Sequence, residues 1–159
     1  MAKPLTLTGV KPEKAFHINA YIILPQKVEE VYMWENFIRD SERSEELHNM
    51  RISIKRLRYS MEFFTCNYGE KFIKCLHTII DLQDILGDIH DNDVVIETLA
   101  NYKTDHNHLT LPGIDSLISR VRKNRISDYN EFLSKWERLS QDNFKDHLLT
   151  IIATEKKNG

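Results

Sequence analysis

Between residues 45 and 66, Leu47, Met50, Ile54, Leu57 and Met61 recur at alternating intervals of three and four. That spacing puts them on one stripe of an α-helix and predicts a seam packed against neighbouring helices. "DSERSEE" ahead of it supplies capping residues followed by acids, a helix-start signal. Upstream, Pro25 suits a first helical turn, and Val28, Val31, Trp34, Phe37 and Ile38 mark an apolar stripe through "KVEEVYMWENFIRD". A third helix is expected over residues 70–103, with a break or bend near Gly87 or Asp91. A fourth is expected over residues 114–139, on Leu117, Ile118, Val121, Tyr129, Phe132, Leu133 and Trp136. A short fifth, "FKDHLLTIIA", packs on the end in this reading, and "TDHNHLTLPG" reads as a loop. Four long amphipathic helices with short connections predict an all-α fold, an antiparallel four-helix bundle over residues 25–140. Residues 1–24 read as an arm or short helix, and 141–159 as a short helix and tail.

Composition fits that pattern. The chain has 159 residues, 41% hydrophobic and 29% charged, with only five Gly and four Pro. This is a folded, helix-rich composition of single-domain size. Cys66 and Cys75 make neither a disulfide framework nor a zinc pattern. No apolar run approaches the ~20 residues of a membrane span, and the first residues lack the apolar core of a signal peptide. A cytoplasmic location is the expectation. Net charge is −2, so any affinity for anions must come from local clustering.

Such a cluster stands on the second helix. From His48 to Arg58 there are four permanent cations and no carboxylate. On a helical wheel His48, Arg51, Lys55 and Arg58 form a stripe about a quarter-turn from the apolar seam, and Glu62 extends it. Ile52, Tyr59 and Phe63 lie on its far side. Like charges one turn apart repel by a few tenths of a kcal/mol per pair. Two readings of that cost stand side by side. A phosphate-bearing anion could compensate it, Arg through bidentate geometry and Lys as a point charge. Alternatively, the row His77, Asp81, Asp84, Asp88 and Asp91 on the third helix could neutralise it in a salt-bridge network. The Asp row alone cannot surround a metal ion, and no metal or cofactor is expected. On the third helix Gln83 and His90 interrupt an apolar face beside Gly87, and buried polar groups there need partners. On the fourth helix Arg120 and Lys123 share a face and could supplement the cations if it turns inward.

The stretch "LHNMRISIKRLRYSMEFF", followed by "LQDILGDIHDNDV", resembles the CHAD family, the conserved histidine α-helical domain. It is most similar to the second of that family's two repeats: His, Arg three on, a basic "KRLRY" block, then "LQ..LG...D" on the next helix. The resemblance implies an all-α fold and inorganic polyphosphate as the anion, with association with polyphosphate granules. It assigns His48, Arg51, Lys55, Arg56 and Arg58 to phosphate and gives Tyr59, Gln83, Gly87 and Asp91 supporting roles. The wheel disagrees over Arg56, placing it off the basic stripe near Ser53 and Ser60. CHAD domains typically pair two bundles about a central cationic cleft, whereas this chain has room for one. A homodimer would supply the second half.

The leading expectation is therefore a non-catalytic polyphosphate-binding module. A nucleic-acid or nucleotide phosphate binder is the alternative, weakened by a basic stripe flanked by aliphatics more than by exposed aromatic platforms. A histidine-dependent phosphohydrolase lacks a recognisable set of partners for His48. A helical adaptor for an acidic protein surface gains if the Asp row already occupies the cations.

Overall fold

The computed structural model describes residues 3–105 and 112–154. The described chain is all-helical: α1 (Phe16–Tyr32), α2 (Ser44–Phe64), a 3-10 turn (Thr65–Asn67), α3 (Glu70–Asp105), α4 (Pro112–Gln141) and α5 (Phe144–Thr154). α1 packs on α2, α2 on α3 and α3 on α4, while α5 touches α1, α3 and α4. Most of the loop expected at 104–113 lies outside the described residues.

α1 departs from expectation at both ends. It begins at Phe16, so Pro25 lies inside the helix instead of opening it. A proline there costs about 3 kcal/mol through its missing N–H. Helix continuation lets Ala20 and Leu24 join Val28 and Val31 on one fully buried stripe, and burying a Leu alone returns roughly 1.5–3 kcal/mol. Residues ahead of α1 are tied to it by side-chain amides. Gln26 accepts from the Thr8 N–H at 3.0 Å and donates to the Thr8 carbonyl at 2.9 Å. Asn19 brackets the Lys11 backbone in the same way, at 2.9 Å each.

At its other end α1 stops at Tyr32, and residues 33–39 are turns where continued helix was expected. Anchors in different directions hold this connection. The Trp34 indole N–H donates to Ser53 Oγ on α2 at 3.1 Å. Ile38 is buried, and its carbonyl accepts from Tyr129 on α4 at 3.0 Å. Glu35 accepts from Trp136 at 3.1 Å.

The seam on α2 is as the spacing predicts: Leu47, Met50, Ile54, Leu57 and Met61 are all at most 2% exposed. α3 runs through Gly87 and Asp91 unbroken. With 36 residues against the 21 of α2, it is about 54 Å long against about 32 Å. One hydrophobic core includes Ala20 and Leu24, and also Phe144, Leu148, Ile151 and Ile152. Both ends of the described chain therefore share the core of the long helices.

Candidate anion-binding site

α2 carries its functional side chains because its seam fixes its rotation. With one stripe sunk between α1 and α3, His48 and Arg51 are turned towards α3, where they meet His90 and Gly87, with Gln83 one turn before Gly87 on the same helix. The His48 and His90 rings lie 4.2 Å apart between centroids, tilted by 34°. Arg51 lies across Gly87: a Cβ built at that glycine would come 3.7 Å from Arg51 Nε. Gly87 therefore gives the guanidinium a smooth place to rest, although an alanine there would make only an ordinary contact.

Three polar atoms in this cluster are buried without a hydrogen-bond partner: His48 Nδ1, Arg51 Nε and Gln83 Oε1. Leaving such a group unpaired costs about 1–3 kcal/mol, and more when it is charged. Burial pushes the His48 pKa below the usual histidine value, and His90 and Arg51 beside it push the same way. The imidazole is thus poised neutral, and an anion nearby would favour its protonated form.

Further along the stripe, Lys55 is exposed and its ammonium lies 5.7 Å from the Tyr59 ring centroid. Arg58 lies 5.8 Å from the same ring and is paired with Glu62 at 2.8 Å. That hydrogen bond is the main reason its pKa is raised. Among the described residues no salt bridge joins Arg51 or Lys55 to an acid. Of the aspartate row, Asp81 is paired with Lys135 of α4 at 3.0 Å. Asp84, Asp88 and Asp91 are exposed, and Asp84 reaches Arg58 only through its field. The neutralising network across α2 and α3 is therefore not built on the cations closest to His48. Among the described residues no three His, Cys, Asp or Glu side chains are arranged to hold a metal ion.

Arg56 stands apart from the rest of the set that the family motif suggests. It leaves the stripe for α1, where it meets Glu30 Oε1 at 2.7 Å. Glu30 is 3% exposed and is also held by Lys27 at 2.8 Å. The helical wheel foresees this direction, because Arg56 lies more than a quarter-turn from the stripe. Arg120 and Lys123 are exposed and line an open groove with Asp115, Ser116 and Ser119, all on α4. Their face does not turn inward, and the groove contains none of the α2 cations. Tyr59 stands at the edge of the stripe.

Two features escape the sequence reading. Arg125 is buried: its Nε donates to Asp93 Oδ1 at 2.5 Å, and the guanidinium also reaches Ser44 Oγ at 3.0 Å. It ties α4 to α3 and to the start of α2. The signal was available, because Arg125 continues the inward spacing of Ile118 and Val121. The second is exposure beside the cations: Tyr59 is 52% and Phe63 65% exposed. The far flank of the stripe, where Ile52 is half-buried, thus exposes mainly aromatic side chains.

No curated protein and no solved structure matches the chain. The family model of the CHAD domain matches residues 27–100, from α1 through most of α3. This span holds the His48–Arg58 stripe and the Gln83–His90 face, so the match to the CHAD domain model covers the segment that builds the site.

Proposed function

We propose that this protein binds inorganic polyphosphate without catalysing its turnover, through His48, Arg51, Lys55 and Arg58 on α2. The observation that carries the reading is the cluster facing α3. His48 Nδ1 and Arg51 Nε are buried without partners, and Arg51 and Lys55 have no counter-ion among the described residues. A chain of phosphates offers acceptor oxygens at short intervals, which suits cations spaced one helical turn apart. The CHAD family is associated with polyphosphate binding, which supports the choice of anion. In this reading Gly87 seats Arg51, Gln83 offers a further unpaired polar group, and Arg56 serves α1 instead of the ligand. The long helices act as one half of a CHAD-like bundle pair, a second copy completes the cleft, and the protein works in the cytoplasm at polyphosphate granules.

The test is a titration with long-chain polyphosphate at two salt concentrations. Binding should weaken steeply with salt, because displaced counter-ions supply much of the affinity. Arg51→Ala should lower affinity at least tenfold with thermal stability retained. An Arg51→Ala variant that binds as tightly as the wild type would refute the assignment.

A further inference from the structure

We infer that Tyr59 and Phe63 form a stacking subsite for a nucleobase beside the cationic stripe, so that the preferred ligand joins a base to a phosphate chain. The inference rests on the phosphate-binding reading of α2 and adds to it a second chemistry, apolar and aromatic.

The aromatic surface is unusual for its position. Phenylalanine is among the residues most often buried, yet Phe63 is 65% exposed. It is also held in place. Its ring meets Phe16 of α1 edge-on, with centroids 5.0 Å apart, and Phe64 at 5.0 Å and 79°. Tyr59, four residues earlier on the same face, is 52% exposed, and four residues advance the helix by about 6 Å. A ring fixed before binding loses little freedom when a base stacks on it.

Charge selects the occupant. Lys55 and Arg58 flank Tyr59 at 5.7 and 5.8 Å, so whatever covers the rings meets cations within one turn. A second copy of the chain docking here through a twofold axis would bring the same cations face to face. Bare polyphosphate would satisfy the cations and leave the rings uncovered. A nucleobase linked to phosphates meets both needs: the base lies on Phe63 and Tyr59, and the phosphates run back along α2 towards Lys55 and Arg51. Single-stranded nucleic-acid binding sites combine these same elements, a basic track and aromatic platforms.

The experiment compares ATP with tripolyphosphate, without divalent cations and at equal ionic strength, on the wild type, Phe63→Ala and Tyr59→Leu. Stacking on one base is worth about a 5- to 150-fold change in affinity. ATP should bind more tightly than tripolyphosphate by a factor in that range. Phe63→Ala should remove most of the difference while leaving tripolyphosphate affinity unchanged. Equal binding of the two ligands, unaltered in both variants, would overturn the base subsite and leave the polyphosphate reading standing. Failure of both ligands to bind the wild type would overturn both. If Phe63→Ala instead converts a dimer to a monomer in sedimentation, with ATP affinity intact, the rings belong to a second copy and the inference falls. An oligothymidylate and an abasic oligomer of equal length locate the source of the base. A gain with ATP alone identifies a free nucleotide, and a gain with both ATP and the oligothymidylate identifies a base that single-stranded nucleic acid also supplies; a gain confined to the oligonucleotide, with ATP and tripolyphosphate equal, overturns the ligand inferred here.

Discussion

Arg56 separates the structural from the ligand-facing cations of α2. It lies in a "KRLRY" block that the family motif assigns to phosphate, yet its guanidinium is 2.7 Å from Glu30. The Arg56 side chain is 23% exposed and that of Glu30 only 4%. Replacing Arg56 by Met keeps most of the apolar stem and removes the charge. Glu30 then retains Lys27 at 2.8 Å but loses one charged hydrogen bond. A hydrogen bond to a charged group is worth about 1.5–3 kcal/mol, and breaking a well-buried pair costs about 3–5 kcal/mol. Because Arg56 is partly hydrated and Glu30 keeps a second cation, about 2 kcal/mol is expected. For a chain of this length that is a fall in Tm of roughly 4–8 °C. Glu30→Gln strands both cations and should cost about 3–5 kcal/mol. The double variant should be less destabilised than the sum of the single ones, by about 1–2 kcal/mol. Urea unfolding gives these stabilities, and polyphosphate titration well below Tm gives the affinity of each folded variant. Arg56→Met should bind like the wild type. Wild-type stability combined with a loss of affinity matching that of Arg51→Ala would refute the placement of Arg56.

Two further outcomes follow from the cluster facing α3. At Gly87 an added Cβ would stand 3.7 Å from Arg51 Nε, an ordinary contact. Gly87→Ala should therefore raise stability by about 0.5–1 kcal/mol with affinity unchanged, whereas Gly87→Leu should displace Arg51 and weaken binding; a destabilised Gly87→Ala would contradict that geometry. His48 has its pKa lowered by burial, then by His90 and Arg51. Its charging is thus harder in the folded chain than in the unfolded one, where the pKa is about 6.5. Its contribution to stability is complete above about pH 6.5 and is lost as pH falls from there through the lower folded value. His48→Gln should flatten the decline in Tm between pH 7.5 and 5.5, and a variant that declines as steeply as the wild type would rule His48 out as its source. Polyphosphate affinity of the wild type should rise over the same interval, because a bound anion favours the protonated imidazole.

The sequence made α2 legible because one strong period fixed its rotation. Once Leu47 to Met61 are known to face inward, the stripe from His48 to Arg58 and the departure of Arg56 follow from geometry. α1 was less legible. Pro25 is a strong local signal for a helix start, but burial of Ala20 and Leu24 overrides it, and burial depends on helices far along the chain. The partners of the aspartate row were also hidden. Periodicity places Asp81 on a face of α3, but only tertiary packing decides that the face meets Lys135 of α4 and not the cations of α2. Exposure of Phe63 follows from the same limit, because a wheel gives direction without saying where neighbouring helices end.

The attachment of α5 bears on how the molecule is made. α5 packs on α1 and on the connection that leads into α3: Lys145 meets Glu29 at 2.9 Å, and the Tyr68 hydroxyl donates to the Ile152 carbonyl at 3.2 Å. More than a hundred residues of chain separate Glu29 from Lys145. Contacts at such separation form late, since the intervening loop must close first. On the ribosome, α1 can become helical long before it can finish burying its apolar face. A nascent chain paused before residue 144 would lack Phe144, Leu148, Ile151 and Ile152, which share one core with Ala20, Leu24 and Val28. During that interval the growing chain is a substrate for holding chaperones, and a stall there favours aggregation over folding.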